Sequence, residues 1–174
     1  MQIIPTARLD IVPCDPIAMQ LLLRGRNELA TRLRIVIPEA WPVSPEAIPV
    51  FAGLLEADPT QCGWLNYFAI HRENRTMIGD CGYFGKPEEG TVEIGYSVIP
   101  GFRRMGYAVE MVQALVERSF ASGQVDRIIA HTLADNIPSM QVLERLGFQK
   151  GTSTVPSEEG PKVRWELLRD QPQS

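Results

Sequence analysis

The chain has 174 residues, 44% of them hydrophobic and 22% charged, which suits one globular domain (1–174) with a full core. A net charge of −4 argues against a nucleic-acid partner, which favours a basic surface. No apolar run approaches the roughly 18 residues that a membrane span requires. The candidate nearest the start, Ile17 to Leu23, follows Asp15-Pro16 and not a basic leader, so no signal peptide is expected. Cys14, Cys62 and Cys81 show no CxxC spacing, and His71 and His131 are the only histidines. Reduced thiols in a cytoplasmic protein, with no metal site, are the expectation.

Ala7 to Val12 alternates apolar and polar residues and predicts a first strand. Asp15-Pro16 reads as an N-cap and first helical residue, opening a helix that loosens at Gly25 and resumes through Leu29 and Leu33. Residues 34–45 are broken by prolines and predict an ordered loop around Trp41. Ser44-Pro45-Glu46 opens a second helix, with Ile48, Phe51, Leu54 and Leu55 facing a core. Pro49 calls for a late start or a kink there. From Trp64 the pattern turns to strands: Tyr67 to His71, the polar turn Arg72 to Arg75, then Met77 to Phe84. A second turn over 85–90 leads to an apolar run from Val92 to Ile99. A helix from Gly106 to about Phe120 places Met111, Val112 and Leu115 on one face, with Gly123 as its stop. Arg127 to Leu133 completes a β–α–β unit, which should be parallel and right-handed. Asp135 to Pro138 caps a short helix closed by Gly147. Phe148 to Val155 and Lys162 to Leu168 form a last hairpin, and 170–174 are expected to fray. The fold class is α+β: a mixed, mostly antiparallel sheet of six to seven strands with about four helices.

The segment VEIGYSVIPGFRRMGYA (92–108) joins a strand, a glycine-bearing basic turn and a helix start. The first four N–H groups of a helix have no partner within it, and the helix dipole adds positive character there, so the turn suits a phosphate. The spacing excludes two rivals. Tyr107 stands where a P-loop needs lysine, and Gly101 and Gly106 are wrongly spaced for a dinucleotide fingerprint. Arg103, Gly106 and Ala108 match the pattern [R/Q]-x-x-G-x-[G/A], and Asn136-x-x-Ser139 follows in DNIPSMQVLERLGF.

With these two segments, together with TARLDIVP and IGDCGYFG, the chain resembles the GNAT N-acetyltransferase superfamily. Within it the chain looks like the Rim-type ribosomal-protein N-terminal acetyltransferases. The resemblance implies a splayed sheet and acetyl-CoA as cofactor, with coenzyme A as product and no metal. It implies that the main chain of Arg103, Arg104, Met105, Gly106, Tyr107 and Ala108 holds the pyrophosphate. Val98 and Ile99 would pair with the pantetheine arm, and Asn136 would lie along the cofactor. Arg103 and Arg104 also read as solvated surface charges, and Asn136 as a helix cap.

The implied reaction is attack of a primary amine on a thioester, which requires a deprotonated amine. Glu93, in an otherwise apolar strand, is the first candidate base acting through water, and Glu110 in the first turns of the long helix is the second. A main-chain N–H near Ile99 would hold the oxyanion. The Rim-type resemblance places Ser139 near the sulfur, where other family members carry a tyrosine. Trp41 and Trp64 read either as groove walls or as core. The expected acceptor is a small-molecule amine or a protein N-terminal α-amine. No nucleic-acid or membrane partner is expected; the oligomeric state is not readable from the sequence, and a homodimer is compatible with it because symmetric dimers are the commonest oligomers. The alternative class is a non-catalytic acetyl-CoA-binding sensor on the same fold.

Overall fold

The computed structural model describes residues 2–169, so the expected fraying at 170–174 lies outside the described residues. The strands are β1 (Ile4–Pro5), β2 (Leu9–Pro13), β3 (Asn66–His71), β4 (Thr76–Tyr83), β5 (Thr91–Val98), β6 (Arg127–Leu133), β7 (Gln149–Val155) and β8 (Lys162–Leu168). They form one sheet in the order β1-β2-β3-β4-β5-β6-β8-β7. Among the described residues, β5 and β6 are the one pair of neighbouring strands that runs parallel, as the β–α–β reading requires. The helices are α1 (Pro16–Arg24), α2 (Arg26–Leu33), α3 (Ala47–Ala57), α4 (Tyr107–Ala121) and α5 (Ile137–Arg145). Among the described residues, eight strands and five helices exceed the six to seven and four expected. The additions are the two-residue edge strand β1 and the division of the first helix at Gly25.

Local chemistry explains most of these boundaries. Asp15 caps α1 by accepting the Ala18 N–H at 2.7 Å, with Pro16 at the first helical position. Pro49 sits in the first turn of α3, where its missing N–H would have had no helical partner, so the late start accommodates it. Gly123, at φ 73°, supplies the left-handed residue that ends α4.

Two apolar layers cover opposite faces of the sheet. On one, Met111, Val112 and Leu115 of α4 and Leu143 of α5 pack on Val92, Ile94, Ile128 and Trp165. On the other, Met19, Leu29 and Leu55 from the first three helices pack on Phe68, Ile70 and Met77. Trp41 is 1% exposed and belongs to this second layer, edge-on to Phe68 at 5.8 Å. Trp64 is half-buried and stacks its ring on the Arg118 guanidinium at 4.5 Å.

Glu110 ties the N-terminal segment to α4. Its Oε1 accepts the Arg8 N–H at 2.7 Å and the Thr6 hydroxyl, and its Oε2 meets the Arg8 guanidinium at 2.8 Å. Burial alone would raise this carboxyl, but the bonds from Thr6 and Arg8 outweigh it and hold it below the usual range. Its oxygens are thus already engaged, which removes Glu110 as the alternative base. A depressed folded pKa contributes stability that is present above the ordinary glutamate value of about 4.3 and is lost as pH falls through the folded value. Glu110→Gln is therefore expected to cost about 1–2 kcal/mol, or about 3–6 °C in Tm, at pH 7. Thermal melts from pH 7 to pH 3 should show the gap to wild type closing on the acid side.

Candidate active site

The turn before α4 is short of hydrogen-bond acceptors. A 3-10 turn over Pro100–Phe102 ends β5, and Arg104 (φ 64°) and Gly106 (φ 82°) then adopt left-handed conformations. Left-handed backbone is uncommon for a residue with a Cβ, so Arg104 is held by the turn around it. Gly106 is the helix N-cap and supplies no side-chain cap bond. The N–H groups of Arg104, Met105, Gly106, Tyr107, Ala108 and Val109 have no acceptor among the described residues. Arg8 braces the turn by donating to the Met105 carbonyl at 2.9 Å and lying over the Tyr107 ring at 4.1 Å. Tyr107 is 7% exposed, so only its main chain faces outward at the turn.

Beside this turn, β5 and β6 part. Their pairing runs from Thr91–Arg127 to Ile94–Ala130 and stops there, although both strands continue. In the antiparallel pairing of β5 with β4, alternate residues direct their N–H and C=O groups to opposite sides. Ile99 donates to Ile78 at 2.9 Å, so Ile99 and Ser97 face β4, while Tyr96 and Val98 face the gap. One expectation is corrected by this register. The Ile99 N–H is bonded to Ile78 and its carbonyl accepts from Phe102 at 3.0 Å, so Ile99 itself does not offer a pantetheine contact, and the main-chain N–H near Ile99 that faces the gap is that of Val98. Val98 does face the gap, and its carbonyl takes the Arg103 Nε at 2.8 Å. That bond turns Arg103 back onto the strand end, while the Arg104 side chain has no partner among the described residues.

Across the gap stands the start of α5. Asn136 caps it, accepting the Ser139 N–H at 3.2 Å, so its structural role is real. Ser139 Oγ lies 2.8 Å from the Tyr96 hydroxyl, which also donates to the Ser139 carbonyl at 2.9 Å when not donating to Oγ. Burial pushes the Tyr96 phenol up to about 12, against the opposing effect of its bond to Ser139, so it keeps its proton at neutral pH.

A cavity of about 370 Å³ opens at this split, lined by Asp80, Glu93, Tyr96, Ser97, His131 and Ser139 among others. At its rim Glu93 Oε1 meets His131 Nδ1 at 2.8 Å. Deeper, Asp80 accepts from Trp41 Nε1 at 2.8 Å and from Ser97 Oγ at 3.0 Å. Burial raises the Asp80 carboxyl, and the bonds from Ser97 and Trp41 only partly oppose this. No cation pairs with Asp80 among the described residues. Trp41 thus lies beneath the cavity holding Asp80, and Trp64 does not line it. Cys14 and Cys81 are buried, with burial pushing both thiols up, and are unsuited to nucleophilic chemistry.

Three residues of this site were not singled out from the sequence: Tyr96, His131 and Asp80. Asp80 carried a signal, a carboxylate inside the apolar run MIGDCGYF, the same signal that singled out Glu93. His131 and Tyr96 gain meaning only once the register of β5 against β6 is known.

The family model for the acetyltransferase (GNAT) domain matches residues 17–149. The chain belongs to the GNAT acetyltransferase family. It is an acyltransferase, and the family uses acetyl-CoA. It is 30% identical over 151 residues to the "uncharacterized N-acetyltransferase YjdG" of Bacillus subtilis (strain 168), covering 85% of this chain and 90% of the relative. Among solved structures it shares its fold with the RimL ribosomal L7/L12 α-N-protein acetyltransferase in complex with coenzyme A (TM-score 0.65, 19% identity, 96% and 98% covered). It also shares it with the ribosomal-protein-S5-alanine acetyltransferase from Vibrio fischeri (TM-score 0.67, 15% identity, 98% of each chain covered). Among the described residues, no helix of this acetyltransferase is long and apolar enough to cross a membrane.

The raised Asp80 carboxyl sets a pH dependence of opposite sign to that of Glu110. Its contribution to stability is fully present below the ordinary aspartate value of about 3.9 and is lost as pH rises through the raised folded value. Asp80→Asn carries no charge at any pH. Its Tm relative to wild type is expected to become more favourable between pH 4 and pH 7, as measured by thermal melts in matched buffers.

Proposed function

We propose that this enzyme transfers an acetyl group from acetyl-CoA directly to a primary α-amine, and that a protein N-terminus, as for the Rim-type enzymes, is the acceptor. The observation that carries the reading is the run of unpartnered N–H groups from Arg104 to Val109 at the mouth of the open β5–β6 gap. A pyrophosphate satisfies those groups together, and the left-handed Gly106 lets it approach the backbone closely. The exposed Arg104 side chain adds a charged donor. The Tyr96 main chain and the Val98 N–H, which face the gap, suit the amides of a pantetheine arm, while the Val98 carbonyl is held by Arg103. Asn136 and Ser139 border the same path on the α5 side.

When bound, acetyl-CoA supplies an acyl group activated as a thioester. The chain contributes two sets of groups at that end of the gap. On the α5 side, Ser139 Oγ is held by a protonated Tyr96 hydroxyl and is the hydrogen-bonding group we assign to the sulfur. On the cavity side, the Glu93–His131 pair is the group we assign to the amine's proton. Asp80, a carboxylate without a cation, favours a protonated amine approaching the cavity. The Rim-type choice rests on the likeness to ribosomal-protein acetyltransferases and on Ser139 standing where no tyrosine is present in α5. An α-amine, with a pKa of about 8, also yields its proton more readily than a lysine at about 10.4.

A thiol-release assay with acetyl-CoA and a panel of free amines, lysine-containing peptides and peptides with unblocked N-termini tests this. Turnover on peptide α-amines above the others is expected. Tight coenzyme A binding without turnover on any amine would favour a sensor. Arg104→Ala should raise KM for acetyl-CoA about tenfold with kcat little changed, the loss of one charge-assisted contact.

A further inference from the structure

We infer that His131, through Nε2, is the group that takes the proton from the acceptor ammonium, and that Glu93 acts on it as a positioning residue. The inference rests on the acetyltransferase reading and deepens it at one site.

The geometry starts from the sheet. The last paired residues of the parallel ladder are Ile94 and Ala130, so Glu93 comes just before the split on β5 and His131 just after it on β6. Side chains alternate along a strand, and Ile94 and Ala130 point into the apolar layer under α4 and α5. Glu93 and His131 therefore project to the opposite face, towards the cavity, and their 2.8 Å contact bridges the apex of the gap.

An ionised carboxylate only accepts, so the nitrogen that faces it must carry the hydrogen. The Glu93 contact thus selects the tautomer with hydrogen on Nδ1 and leaves the Nε2 lone pair available. Nε2 has no partner among the described residues. Between the two groups, the imidazole keeps a nitrogen lone pair free, while Glu93 Oε1 is spent on Nδ1–H. Proton transfer breaks one N–H bond of the ammonium and forms Nε2–H. It leaves a neutral amine with its lone pair and an imidazolium whose charge the Glu93 carboxylate balances.

The neighbouring cations have carboxylate partners of their own. Arg164 lies directly across from His131 on β8, but its guanidinium pairs with Glu166 at 3.2 Å, as does Arg127 at 3.6 Å. Lys162 pairs with Glu159 at 2.7 Å. Asp80 and Glu46 line the cavity from β4 and the start of α3. On the other face of β6, Ile128, Ala130 and Thr132 are buried under α4 and α5.

Two measurements test the role. With two histidines in the chain, long-range 15N–1H correlations can read each imidazole directly. Neutral His131 should carry its hydrogen on Nδ1 in wild type, and Glu93→Ala should shift it towards Nε2. Hydrogen on Nε2 in the wild-type protein overturns the proposal, whatever the activity. In turnover, His131→Gln should lower kcat about 100-fold, with KM for acetyl-CoA within about twofold, and remove the acid limb of the kcat/KM profile. Glu93→Ala should lower kcat about tenfold and keep that limb, because the imidazole remains. A His131→Gln enzyme within about threefold of wild type overturns the role and leaves the acetyltransferase reading intact. Absence of turnover by the wild-type protein on every amine would overturn that reading and this role with it.

Discussion

The parting of β5 from β6 after Ile94 and Ala130 is the constraint on which the site depends. Each strand stays with its outer neighbour: β5 with β4 as far as Ile99–Ile78, and β6 with β8 as far as Leu133–Lys162. The register of β3 against β4 slips between Ala69 and Ile70, which leaves Ile78 as an extra residue just before Gly79. A bulge of this kind bends its strand and increases the local twist, and β5 is carried with it. At Gly79 the Ser97 carbonyl would lie 2.0 Å from any Cβ, so this close approach of β4 and β5 requires glycine. Where the ladder opens, main-chain groups inside the sheet are left facing a cavity. Burying such groups without partners is unfavourable, and an amide-bearing ligand relieves it.

The same split divides the labour between the two faces of the sheet. On the α4 and α5 side are the turn, the Asn136 cap and the Ser139–Tyr96 contact, all built on helix starts. On the other side are carboxylates and an imidazole carried by strands, over a floor made by Trp41 and the early helices. The turn itself is not self-supporting, since Gly106 gives α4 no side-chain cap. It is held from outside by Arg8, which contacts the Met105 carbonyl, the Tyr107 ring and Glu110 at once. Stability and ligand geometry are thereby coupled through residues that never face the cavity.

Most of the fold was legible because it follows local rules. Caps and prolines mark the starts of α1 and α5, glycine marks the end of α4, and apolar alternation marks the strands. Edge strand β1 was not legible: two residues carry no periodicity, and its pairing with Ile11 and Asp10 is purely tertiary. In the site, the turn over 103–108 was legible from its spacing, and Glu93 from its place in an apolar run. Ile99 was misassigned because strand membership alone does not say which edge a residue's N–H faces. That parity follows from the β4–β5 register, which lies 20 or so positions away along the chain. Glu110 looked like a candidate base from its position in the helix, and only Thr6 and Arg8, distant in sequence, revealed it as a tie. His131 was hidden for the same reason, since its partner comes from the neighbouring strand.

On the proposed function, the bare N–H groups of the turn and the open edge of β5 form one binding track for coenzyme A. Titration of coenzyme A into 15N-labelled protein, followed by amide chemical shifts, tests it most directly. The largest shifts are expected at Arg104 to Val109, together with Tyr96 and Val98, with little change at Ile99, whose N–H stays on Ile78. Saturable binding that leaves the turn amides unmoved, or that shifts Ile99 as strongly as Val98, would contradict it.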